Sequence, residues 1–169
     1  MKTALAAVAL LFSVAVSPLL GQGDDEDTRK TLAGLHRVRV IVQMSDSAGV
    51  QKDGLSQLQL QTDVEVKLRQ TGIIVFSQHD AQLGPWLNVI VNTLDVSSTN
   101  ATSMYAVSVS AELYQWVTLA RNPSVRVFVS TWSATGRFGT TAHVSSVRDL
   151  IRDMTDQFIN AYLAANPKR

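Results

Sequence analysis

The residues able to do chemistry are few and scattered. His36, His79 and His143 stand alone in separate segments, and the 169-residue chain has no cysteine. Zinc needs several histidine or cysteine ligands at close spacing with a supporting shell, so no metal site is expected. A thiol nucleophile, a disulfide framework and a thiolate–zinc scaffold are ruled out by composition. No serine lies in the glycine pattern of a nucleophile elbow. Asp149, Asp153 and Asp156 fall on what reads as the solvated face of the last helix. Gly136-Arg137-Phe138-Gly139 is spaced like a short anion-cradling loop, but a turn ahead of a helix uses glycine as readily. The acidic run Gly23 to Asp27 has charge without a geometry to hold a cation. The chain therefore reads as a non-enzyme with no cofactor. A hydrolase whose groups meet only in space is the remaining catalytic alternative.

The aromatic residues carry more information. Trp86, Trp116 and Trp132 are all the tryptophans of the chain, and each lies in a segment of alternating character. Side chains of a strand point to opposite faces in turn. If the valine positions pack under helices, the intervening ones emerge together: Trp86, Ile90, Tyr114, Trp116, Phe128 and Trp132. Arg37, Arg39 and Arg126 lie among them, with Asn88, Asn92 and Glu112. Contiguous apolar surface usually marks an interface, and Trp, Tyr and Arg are the usual hot-spot residues. The nine named aromatic, isoleucine and arginine positions are the expected binding residues.

The elements that position them follow from periodicity. Val38, Val40 and Val42 alternate with Arg37, Arg39 and Ile41, giving a first strand over 35–43. Ser56 with Gln59 forms a capping box for a helix ending at Thr71-Gly72. Its Leu60, Val64 and Leu68 make the buried stripe, while Leu55, Leu58 and Val66 lie on the opposite side. Strands follow over 73–76, 85–96, 104–119 and from 125, the last fading by Trp132. A sequon, Asn100-Ala101-Thr102, falls in the polar turn between two of them. Ser146 with Asp149 caps a final helix whose stripe is Val147, Leu150, Ile151, Met154, Phe158 and Tyr162. The order β-α-β-β-β-β-α indicates an α+β fold, a mainly antiparallel sheet of four to five strands with two helices on one face. The first helix crosses over between two strands, which allows that pair to be parallel.

The amino terminus is read as an address. Lys2 precedes an apolar stretch from Ala4 to Val16, and Pro18 and Gly21 follow. This is the layout of a secretory signal peptide over residues 1–22, too short to span a membrane. The expected product is exported, periplasmic or secreted, with no transmembrane segment. With no cysteine after the apolar stretch, it also lacks the attachment point of a lipid anchor. Residues 23–34 read as a flexible acidic segment and 35–166 as a single domain. Loss of Lys2 leaves basic and acidic residues equal in number, without the basic stripe of nucleic-acid binding.

From Leu35 to Asn166 the order of elements resembles small bacterial cell-envelope modules: the lipopolysaccharide-assembly lipoprotein, the amino-terminal domain of the Tol-Pal propeller protein and the curli secretion lipoprotein. The resemblance is one of pattern and brings no motif with it. It implies a binding or assembly module of the envelope, whose partner is another protein or a second copy. The alternative from the aromatic residues is a binder of a small apolar or glycan-like ligand.

Overall fold

The structure, a computed structural model, describes residues 23–45, 50–51, 54–76, 84–97, 104–134 and 136–167. The expected signal peptide over residues 1–22, His79 and the sequon lie outside the described residues. The elements are α1 (Glu26–Lys30), β1 (Arg37–Met44), α2 (Gln57–Gln70), β2 (Ile74–Val75), β3 (Trp86–Asp95), β4 (Tyr105–Leu119), β5 (Asn122–Ser133), β6 (Arg137–Thr141) and α3 (Val144–Ala165).

The fold is α+β, with six strands in one sheet ordered β2-β1-β3-β4-β5, and β6 also paired with β4. β1 runs parallel to both of its neighbours, and every other pair is antiparallel. A parallel β1–β2 pair is what the α2 crossover requires. β4 is long enough to hold β5 along its carboxy-terminal part and β6 along its amino-terminal part. β6 takes in Arg137, Phe138 and Gly139 of the Gly136–Gly139 segment, which therefore runs as a strand and not as an anion-cradling loop.

Alternation decides the layers. Val38, Val40 and Val42 of β1, Leu87, Val89 and Val91 of β3, and Val107, Val109, Ala111 and Leu113 of β4 are all buried. They meet Leu60, Val64 and Leu68 of α2 and Val147, Ile151, Met154 and Phe158 of α3 in one core. α2 ends where expected, since Gly72 takes a φ of +90° that an L side chain resists. Ser56 is its N-cap but makes no side-chain capping bond. Instead the Gln57 amide donates to the Val42 carbonyl at 2.8 Å. α3 starts three residues earlier than the sequence suggested, with His143 as N-cap and Ser146 inside the first turn.

Residues 23–34, expected to be a flexible tail, are packed on the domain. Leu32 is fully buried. Asp25 and Thr28 form a reciprocal capping box on α1. Asn166, just past α3, donates to the Leu32 carbonyl at 2.9 Å and accepts from the Gly34 amide at 2.8 Å. The acidic run is held by local bonds around α1 and by one long-range bond, from the Trp132 Nε1 to Asp24.

Candidate functional site: the outer face of the sheet

The described helices pack on the valine side of the sheet, and the opposite face carries an aromatic layer. Cross-strand register brings it together: Arg39 lies opposite Trp86, Trp86 opposite Tyr114, and Trp116 opposite Phe128. The Phe128 ring is the hub. Its centroid is 4.9 Å from Trp86 in an edge-to-face arrangement, 5.4 Å from Trp116 and 5.8 Å from Tyr114. Such separations are those of attractive ring pairs. A shallow depression of about 150 Å³ lies between Gly84, Trp86, Trp116 and Phe128.

Each of three guanidiniums lies over a ring. Arg39 is 5.3 Å from the Trp86 centroid, Arg126 is 5.7 Å from Trp116, and Arg37 is 5.7 Å from Phe76. These are cation–π distances. None of the three has a carboxylate partner among the described residues. Glu112 is engaged elsewhere on the face, accepting a 2.7 Å bond from the Tyr114 hydroxyl. That bond, then burial and the charge of Glu112, raises the Tyr114 pKa above its ordinary value. The Arg39 Nε, the Trp86 Nε1 and the Asn88 Oδ1 are buried without a hydrogen-bond partner.

Of the residues expected on this face, Trp86, Tyr114, Trp116, Phe128, Arg39 and Arg126 form the cluster. Arg37 adjoins it through Phe76. Ile90 shares the face, but its cross-strand neighbours are Gln43 and Ser110, so it stands apart. Trp132 does not belong there. Register shifts between Leu113–Trp132 and Tyr114–Ser130, leaving Thr131 as the extra residue of a bulge. One extra residue reverses the alternation, so Trp132 turns inward. It is 1% exposed, stacks edge-to-face on Phe158 at 5.2 Å and donates from Nε1 to Asp24 Oδ1 at 3.0 Å. Asp24 is also gripped by Arg29 through two 2.6 Å bonds. The Arg29 bonds chiefly, and the Trp132 bond in addition, hold its pKa below the ordinary value against the opposing effect of burial.

Phe76 was missed by the sequence reading. Its signal was parity, since it follows Ile74, which pairs with Arg37, by two residues. Gly84 supports it: a Cβ there would lie 2.3 Å from Phe76 Cζ, so only glycine leaves that ring its place. The β4–β5 hairpin also departs from expectation on its other face. Val125 and Val129 are each 37% exposed, because the hairpin runs past the helices.

His36 and His143 are both exposed and lie in different parts of the fold. Among the described residues no group of three or more His, Asp or Glu side chains converges as a metal site would require. No helix among them is long and apolar enough to cross a membrane.

No family model matches the chain, and no curated protein does. Solved structures that it resembles include bacterial lipoproteins. One is a minor lipoprotein from Acinetobacter baumannii, at 10% identity over 78% of this chain and 93% of that one, with a TM-score of 0.38. Another is PelC from Paraburkholderia phytofirmans, solved as a dodecamer, at 18% identity over 73% and 87%, with a TM-score of 0.40. A third is the rare lipoprotein B from Shewanella oneidensis, at 16% identity over 75% and 92%, with a TM-score of 0.26. These are distant likenesses.

Proposed function

We propose that this chain is an exported, non-enzymatic binding or assembly module of the bacterial cell envelope, and that it engages a protein partner through the outer face of its sheet. The observation that carries the reading is the layer of Trp86, Tyr114, Trp116 and Phe128 around one ring, with guanidiniums stacked on it. Aromatic residues and arginine are enriched at interface cores. Three arginines without carboxylate partners among the described residues favour an acidic counterpart. The leader over residues 1–22 provides the export.

The size of the depression favours a protein partner over the small-ligand alternative. At about 150 Å³ it falls short of the roughly 300–1,000 Å³ usual for ligand pockets. A flat aromatic layer suits a protein surface better.

Trp116 tests the reading because it is 40% exposed and its loss leaves the core untouched. Trp116→Ala should keep the fold and weaken association by roughly thirtyfold, the effect of losing about 2 kcal/mol at a hot spot. Size-exclusion chromatography with light scattering, run on the protein with its envelope partner, reads the change. Association equal to wild type would end the proposal.

A further inference from the structure

Resting on the reading above, we infer that one partner of this chain is a second copy, joined by antiparallel pairing of β5 with the β5 of its twin across a two-fold axis centred on Val127. β5 closes one end of the sheet, and among the described residues it pairs only with β4. A free edge strand is a template for another strand unless it is blunted. β5 is irregular at both ends, with register shifts next to Leu119 and at Thr131. Between them the Val125–Ser130 stretch is regular and carries no proline, no lysine and no acidic residue.

The residue pattern of that stretch complements itself. A two-fold at Val127 sets Val127 against Val127, Val125 against Val129, and Arg126 against Phe128. The valines lie on the face where Val125 and Val129 are each 37% exposed, so pairing closes them over one another. On the opposite face Arg126 already lies over Trp116, and the pairing sets it beside the Phe128 of the twin. Each copy thus presents a cation to an aromatic ring and a valine to a valine. The two Arg126 side chains remain on diagonal positions, where neighbours are about 7–8 Å apart. Pairing here also extends the aromatic layer without a break into that of the second copy, because Trp116 and Phe128 border the edge.

Isologous contact makes the register testable, because residue i meets residue j and j meets i. The chain has no cysteine of its own, so introduced thiols report unambiguously. Residues directly opposite have Cα atoms about 4.5–5.5 Å apart, within the roughly 4.4–6.8 Å that a disulfide bridges. Val127→Cys should therefore oxidise to a linked dimer. Val125→Cys alone and Val129→Cys alone should stay unlinked, since like positions are four residues out of register, about 14 Å. An equal mixture of those two should cross-link. Both are exposed positions, so the mixture keeps the test valid even if Val127→Cys lowers the yield of folded protein.

Cross-linking of Val125→Cys with itself, or no preference for the mixture, would overturn the inference. So would a monomer that binds phosphatidylglycerol vesicles through the hairpin and forms no linked dimer. The broader reading has its own readout: if the register fails while Trp116→Ala still weakens a complex with another protein, the twin is wrong and the aromatic face stands. If the register holds and Trp116→Ala changes nothing, the edge pairs without help from that face.

Discussion

Trp116 and Trp132 lie sixteen positions apart in one hairpin and on opposite faces of it, so replacing each by alanine should give opposite outcomes. Trp132 is 1% exposed, its ring meets Phe158 at 5.2 Å and its Nε1 donates to Asp24 at 3.0 Å. Removing a buried aromatic ring costs about 3–5 kcal/mol in lost transfer energy and cavity. The ring pair accounts for about 0.5–1.5 kcal/mol of this kind of loss. For a domain of about 150 residues, each kcal/mol moves the melting temperature by roughly 2–4 °C, so Trp132→Ala should lower it by roughly 6–20 °C. Trp116 is 40% exposed and loses a ring contact with Phe128 and the Arg126 stack. Those exposed contacts are worth about 1 kcal/mol together, a fall of roughly 2–4 °C. Circular dichroism melts of both variants measure the difference. Equal falls, or the larger fall for Trp116, would refute the placement of the bulge at Thr131.

Asp24→Asn removes the two-bond ion pair with Arg29 and should cost about 0.2–1 kcal/mol at neutral pH, the range for exposed pairs. Because the folded state depresses the Asp24 pKa, this stability is present above the unfolded carboxylate pKa and is lost as pH falls through the folded one. Wild type and variant melts should therefore converge in acid, and a gap that persists there would contradict the assignment. Gly84→Ala drives a methyl into Phe76 and should destabilise by about 1–3 kcal/mol. Adding Phe76→Leu should relieve part of it, and additive costs in urea titrations would show that the two do not touch.

Much of the fold was legible because strands with one buried face announce themselves. Val38, Val40 and Val42, then Leu87, Val89 and Val91, gave the inner layer by alternation alone, and all six are buried. Gly72 gave the end of α2. Two of the failures share a cause, the loss of alternation at irregular points. No glycine marks Thr131 as a bulge, so counting by twos carried Trp132 to the wrong face. Gly136 and Gly139 made β6 read as a loop, although its backbone pairs with β4 from Tyr105 to Val109. The packing of residues 23–34 was hidden for another reason. Asp24 meets Trp132 across 108 positions, and an acidic residue so placed looks solvated until the partner is brought to it. The aromatic cluster survived these errors because its core depends on β3, β4 and the regular part of β5.

The central claim is that the outer sheet face, not the helix layer, is the contact surface. Single cysteines in this cysteine-free chain can be placed at Ser110 and Thr118 on the outer face and at Asp63 and Asp153 on α2 and α3. A thiol-directed photo-crosslinker is then activated in intact cells. The outer-face positions should yield adducts of defined mass that Trp116→Ala abolishes, and the helix positions should yield none. Adducts from Asp63 and Asp153 with none from Ser110 and Thr118 would contradict the claim.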